Sequence, residues 1–271
     1  MAKVIVVTSG KGGVGKTTVT ANLGCTLAKF GDKVCVIDAD IGLKNLDVVL
    51  GLENRVVHTL IDVVNGKVSA QEALVKHKQQ RNLYLLATSQ VATKEMVSPE
   101  DMKAVVKALH PLFDYIIIDS PAGIERGFRN AVAPAELALI VTTPELPALS
   151  DADRVVGLLE NLGFDEKSMK VILNRFKSKM VKAGEMLTEQ DVATTLALEI
   201  IGVVPDCEDV IIATNKGIPV VLNGDLNVTK VFENIARRLK GETIPLDQDL
   251  SQAQEKGFLS FFKNLFGKKR S

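Results

Sequence analysis

Short, almost unbroken apolar runs punctuate this chain, and polar or glycine-bearing stretches separate them. They are Lys3–Thr8, Val34–Ile37, Leu83–Ala87, Tyr115–Ile118, Leu137–Thr142, Lys170–Leu173 and Ile200–Val204. Runs of this length, rich in Val and Ile and without apolar–polar alternation, predict parallel strands buried on both faces. Between them the apolar spacing changes to that of helices. Val19, Leu23, Leu27 and Phe30 lie on one helical face, and Gly31 follows where a helix C-terminus favours a left-handed residue. Ser98-Pro99-Glu100-Asp101 and Ser150-Asp151-Ala152-Asp153 read as helix starts, and Asn227 to Lys240 as a last core helix stopped by Gly241. The stretch from Lys44 to Asn82 is less regular. It predicts short helices and turns, with a capping box at Ser69-Ala70-Gln71-Glu72. Strands alternating with helices predict an α/β fold, a doubly wound, mostly parallel sheet.

The first strand runs into Gly10-Lys11-Gly12-Gly13-Val14-Gly15-Lys16-Thr17-Thr18, which fits the phosphate-loop pattern G-x-x-x-x-G-K-[ST]. Glycines let such a loop curl until successive backbone N–H groups face an anion. The cradle expected here comprises Gly12, Gly13, Val14, Gly15, Lys16, Thr17 and Thr18. Lys16 would reach the β- and γ-phosphates of a nucleotide, and the Thr17 hydroxyl would ligate Mg2+. A strand before the loop and a helix after it are the context this motif requires, so the fold expected is of the P-loop NTPase type.

Acids end two of the other strands, where open α/β sheets place ligands. Asp38-Ala39-Asp40 follows Val34–Ile37, and Asp119 closes Tyr115–Ile118. Asp38 and Asp119 are expected around Mg2+, and Asp40 is expected to orient an attacking water. Asn174 ends a later strand with an amide suited to an adenine edge, and Pro205-Asp206 forms an exit loop able to close over the base. His58 and His77 have no second ligand near them in sequence and are expected to be structural or solvated.

Length and charge narrow the class. The 271 residues carry 33 Lys plus Arg and 33 Asp plus Glu, so no global basic footprint points to nucleic acid. Cys25, Cys35 and Cys207 form no C-x-x-C pair, which lends no support to iron–sulfur or zinc binding. No apolar run reaches the ~18 residues of a spanning helix, and the start lacks a signal-peptide pattern, so a cytosolic protein is expected. The reading is one domain over 1–241, a polar linker over 242–256 and a terminal amphipathic helix over 257–271. In that helix Phe258, Phe261, Phe262, Leu265 and Phe266 fall on one stripe beside Leu259, with Lys263 and a basic end opposite. This is a membrane-surface signature. A single such tail would bind marginally, whereas two tails on a dimer gain avidity of roughly 10²–10⁴.

Together these features resemble the MinD/ParA family of deviant Walker A ATPases. Lys11, ahead of Gly12-Gly13-Val14-Gly15-Lys16-Thr17-Thr18, matches that family's signature lysine, and the resemblance implies that it contacts phosphates in the opposite subunit of a dimer. Ile37–Asp47, Asp119–Glu125 and the Gly257-Phe258-Leu259 tail sit as in the septum-site-determining branch, and residues from about Val56 to Met96 match less distinctively. The resemblance implies an ATP- and Mg2+-dependent homodimer, catalytic roles for Lys11, Lys16 and Asp40, and attachment to anionic phospholipid on the cytoplasmic face of the inner membrane. It also implies recruitment of the division inhibitor MinC, with release stimulated by MinE where that partner exists. Two rivals stay open, a flagellar-placement relative and a ParA-type DNA-segregation ATPase; the tail and zero net charge argue against the second.

Overall fold

The computed structural model describes residues 1–250 apart from 44, 90, 91, 225 and 248. The strands are β1 (Lys3–Thr8), β2 (Val34–Asp38), β3 (Val75–Lys76), β4 (Leu83–Leu86), β5 (Tyr115–Asp119), β6 (Leu137–Thr142), β7 (Met169–Phe176) and β8 (Ile200–Pro205). They form one eight-stranded sheet in the order β3-β4-β2-β5-β1-β6-β7-β8. All pairings are parallel except β3 with β4. Each apolar run expected as a strand is one. The stretch from Lys44 to Asn82 needs a correction, since it also holds the edge strand β3, whose two residues are too few for a periodic signal.

The α-helices are α1 (Lys16–Lys29), α2 (Leu46–Val49), α3 (Leu60–Val64), α4 (Pro99–Leu109), α5 (Arg126–Val132), α6 (Leu146–Asn161), α7 (Ser178–Lys182), α8 (Glu189–Leu196), α9 (Glu208–Asn215) and α10 (Asn227–Leu239). They cover the sheet on both sides. Val4, Val6, Ile116 and Ile118 point into one apolar layer with α4, α5 and α6, while Ile5, Val7 and Ile117 point into the other with α1 and α10. Alternation is therefore present in these strands, but both sides are apolar, so the sequence does not display it.

Two helix signals differ from expectation. Helix α6 begins at Leu146, not at Ser150, because Pro147 occupies the first turn, where its missing N–H costs nothing. The Ser69–Glu72 hydrogen bonds form as a capping box does, yet only a turn follows them. Ser98 caps α4 as expected.

The described part of the expected linker is anchored to the domain. Leu246 and Leu250 pack against the core, and Asp249 is fully buried. Its carboxylate accepts from both Nη atoms of Arg238 at 2.7 and 3.2 Å, from Nδ2 of Asn234 at 2.9 Å and from the backbone N–H of Val203 at 3.3 Å. Arg238 in turn donates to the carbonyls of Ile201, Ile244 and Pro245. A count of acids without bases made this segment read as solvated, because the matching base lies on α10. The expected tail helix, with Phe258, Leu259, Phe261, Phe262, Lys263, Leu265 and Phe266, lies outside the described residues. Among the described residues no helix is long and apolar enough to cross a membrane.

Breaking a buried, multiply bonded ion pair by removing one partner is costly. Asp249→Ala is expected to lower stability by roughly 3–5 kcal/mol in urea denaturation. A loss below about 1 kcal/mol, typical of exposed pairs, would contradict this reading of the clasp.

Candidate functional site

The site lies at the C-terminal edge of the sheet, where β1, β2 and β5 end side by side. Asp38 and Asp119 are register partners in the β2–β5 pairing, and Val7 pairs with Asp119 on the other side. The sheet thus delivers both acids directly beneath the loop that leaves β1.

Steric demands divide the loop glycines into two kinds. A Cβ at Gly10 would meet the carbonyl of Asp151 on α6, and one at Gly15 would meet the Asn174 amide, so these two are glycines for packing. Gly12 and Gly13 are exposed, and a Cβ on Gly13 would meet nothing within 4 Å. Their backbone lines open space, as an anion cradle requires. Gly15 takes φ 96° and starts α1, which places the helix N-terminus against the loop. Lys11 is exposed, whereas Lys16 is buried at 7% exposure.

Beneath the cradle the side chains interlock. The Thr17 hydroxyl donates to Oδ2 of Asp119 at 2.7 Å, and the Thr20 hydroxyl donates to Oδ1 at 3.2 Å. Asp38 accepts from the backbone N–H of Asp40 at 3.0 Å and of Leu46 at 3.2 Å. Asp40 is buried beside them at 9% exposure, and its charge raises the pKa of both other acids. Thr20 was missed in the sequence; its only signal is a hydroxyl one helical turn after Lys16.

Burial is the main electrostatic influence. It pushes Asp38 up to about 8, with the charge of Asp119 adding to the rise and backbone N–H donors opposing it. Burial also raises Asp119, to about 6, against the pull of the Lys16 charge and the two threonine hydroxyls. Closely spaced, buried acids beside a hydroxyl form an all-oxygen donor set deficient in positive charge, which suits a hard cation that retains water and phosphate ligands. Among the described residues no three His, Cys, Asp or Glu side chains form a metal cage.

Next to the loop is a cavity of about 490 Å³ lined by Gly15, Thr18, Asn174, Arg175, Pro205 and Asp206, among others. Asn174, Pro205 and Asp206, expected around a base, are thus brought to the side of the phosphate loop. Asp206 pairs with Lys177 at 3.2 Å, and its N–H donates to the carbonyl of Phe176 at 3.0 Å, joining the ends of β7 and β8. Asn174 Nδ2 donates to the carbonyl of Val14 at 2.7 Å. Arg175, Cys207 and Thr214 also line the cavity, and nothing in the sequence singled them out. His77 lies beside a separate cleft. Its Nδ1 accepts from the N–H groups of Gln79 and Gln80, and burial holds its pKa below the usual range, a structural role.

The raised acids fix a sign for pH dependence. Between the ordinary carboxylate range and about 8 the folded protein keeps a proton on Asp38 that the unfolded chain has lost, so stability falls as pH rises. His77 acts oppositely, but only below its normal value of 6.5. Without metal and nucleotide, the Tm is expected to drop by about 2–4 °C between about pH 7 and about pH 8. Calorimetry that found a rise over that interval would contradict the assignment.

Comparison with known proteins agrees with this architecture. Residues 5–220 match the family model described as the CobQ/CobB/MinD/ParA nucleotide binding domain. The septum site-determining protein MinD of Thermotoga maritima is 70% identical over 268 residues, covering 99% of this chain and 98% of that protein. Among solved structures, the Aquifex aeolicus MinC:MinD cell division complex contains a chain 49% identical with a TM-score of 0.84, covering 90% of this chain and 98% of that one. The Pyrococcus horikoshii septum site-determining protein MinD, complexed with Mg-ADP, is 31% identical with a TM-score of 0.79, covering 88% of this chain and 96% of that one. The chain belongs to the septum site-determining MinD family, within the CobQ/CobB/MinD/ParA nucleotide-binding proteins.

Proposed function

We propose that this chain is a Mg2+-dependent ATPase that acts as a switch in division-site selection. Its ATP-bound dimer attaches to the cytoplasmic face of the inner membrane and recruits the division inhibitor MinC, and hydrolysis releases it. Family membership supports the division role, and the MinC complex of the Aquifex relative supports the partner. The Mg-ADP bound to the Pyrococcus relative supports the nucleotide and its ion. The observation that carries the chemistry is the Thr17–Asp119 hydrogen bond directly under the open Gly12–Gly13 cradle.

In this reading the N–H groups from Gly12 to Thr18 hold the phosphates, and buried Lys16 stabilises charge on the β- and γ-phosphates. Thr17 with Asp38 and Asp119 would hold the metal. A Mg2+ held there would supply positive charge that offsets the charge of the phosphates. Asp40 orients the water that attacks the γ-phosphate. Asn174, Pro205 and Asp206 frame the adenine. Exposed Lys11 reaches beyond its own subunit to the phosphates in the partner, so the dimer completes each site. The tail over 257–271 attaches to anionic phospholipid, and paired tails make attachment depend on dimerisation. MinE stimulates release where it is present.

A side chain that holds the attacking water and accepts its proton contributes about 10²–10⁴ in rate. Asp40→Ala is therefore expected to bind ATP and dimerise normally while phosphate release falls at least about a hundredfold. Turnover at the parent rate would remove Asp40 from the mechanism.

A further inference from the structure

The end of β7 is irregular in a way that ordinary strand pairing does not require. Arg175 takes φ 56°, a left-handed conformation that a side chain other than glycine adopts at a cost. The β7–β8 register slips between Leu173 and Phe176, across this same residue. Asn174 immediately precedes the kink and is buried at 9% exposure. Its Nδ2 reaches the carbonyl of Val14, 160 residues away in sequence, at 2.7 Å. The acceptor is a carbonyl, so the partner atom must be the amide nitrogen, which fixes the orientation of the side chain.

We propose that Asn174 is a positioning residue for the phosphate loop, acting through its amide nitrogen on the Val14–Gly15 peptide. A trans peptide is planar, so its C=O and N–H point in opposite directions. Holding the Val14 carbonyl toward β7 turns the Gly15 N–H away from β7, toward the side where Gly12 and Gly13 open the cradle. The absence of a Cβ at Gly15 serves the same contact, since a Cβ there would meet the Asn174 amide. The Val14 side chain is itself buried, so the peptide is held on both sides. The left-handed residue at 175 and the register slip lie directly beside this contact. A reader of the base alone would need neither contact with Val14 nor close approach to Gly15.

The inference rests on the nucleotide-site reading, and a ligand without a base separates the two roles. Wild type, Asn174→Ala and Asn174→Leu full-length proteins would be titrated with Mg-ATP and with inorganic triphosphate. The leucine variant keeps the site filled if alanine proves unstable. Loss of the tether is expected to weaken triphosphate roughly tenfold and ATP by at least that factor, and to lower the melting temperature by a few degrees as one buried hydrogen bond is lost. Hydrogen exchange of the amides from Gly12 to Thr18 in nucleotide-free protein is expected to speed up by a similar factor. Unchanged triphosphate affinity and unchanged exchange, with ATP alone weakened, would overturn the proposal and leave Asn174 as a base contact. Failure of wild type to bind either ligand would instead remove the nucleotide reading, while the exchange measurement still tests the tether.

Discussion

Burial of two neighbouring acids at the ends of β2 and β5 is the constraint around which this molecule is arranged. Asp38 and Asp119 are strand partners in the centre of the sheet, almost wholly excluded from water, and both are held above the usual carboxylate range. Such an arrangement is unfavourable on its own. Each surrounding contact mitigates it. Lys16 is brought close by the first turn of α1, Thr17 and Thr20 donate to Asp119, and the backbone of Asp40 and Leu46 donates to Asp38. The remaining deficit of positive charge is what a divalent ion on a nucleotide would fill.

The same constraint ties distant segments together. Asp38 binds the start of α2 through Leu46, and Asp119 begins the loop whose Gly123 N–H returns to the carbonyl of Ser9 beside the phosphate loop. The segments after β2 and β5 are therefore hydrogen-bonded directly to the site and to the phosphate loop. On the opposite side of the loop, β7 and β8 supply the cavity wall. The β8 strand is in turn held by Arg238 and Asp249.

Much of this is legible in the sequence. The central strands announce themselves because parallel strands covered on both faces must be apolar at every position, and the phosphate loop because glycine spacing, Lys16 and Thr17 each answer a separate chemical need. Asp38, Asp40 and Asp119 followed from their place just past apolar runs. What escaped depends on partners far apart in sequence. Asp249 reads as a solvated acid until Arg238 is seen against it, β3 is too short to show a period, and Thr20 looks like any helix threonine. The start of α6 was misplaced because Ser150-Asp151 imitates a cap, although the helix had already begun around Pro147. The bond from Asn174 to Val14 has no local signature at all.

The central claim is that occupancy of this charged site is converted into membrane attachment through a second subunit and the tail. Sedimentation with anionic liposomes tests it directly, with ATP, ADP or no nucleotide, for the full chain and for a chain ending before Phe258. The account predicts pelleting of the full chain with ATP, little with ADP or without nucleotide, and none for the truncated chain. Equal pelleting of the full chain in all nucleotide states, or retention of ATP-dependent pelleting without the tail, would contradict it.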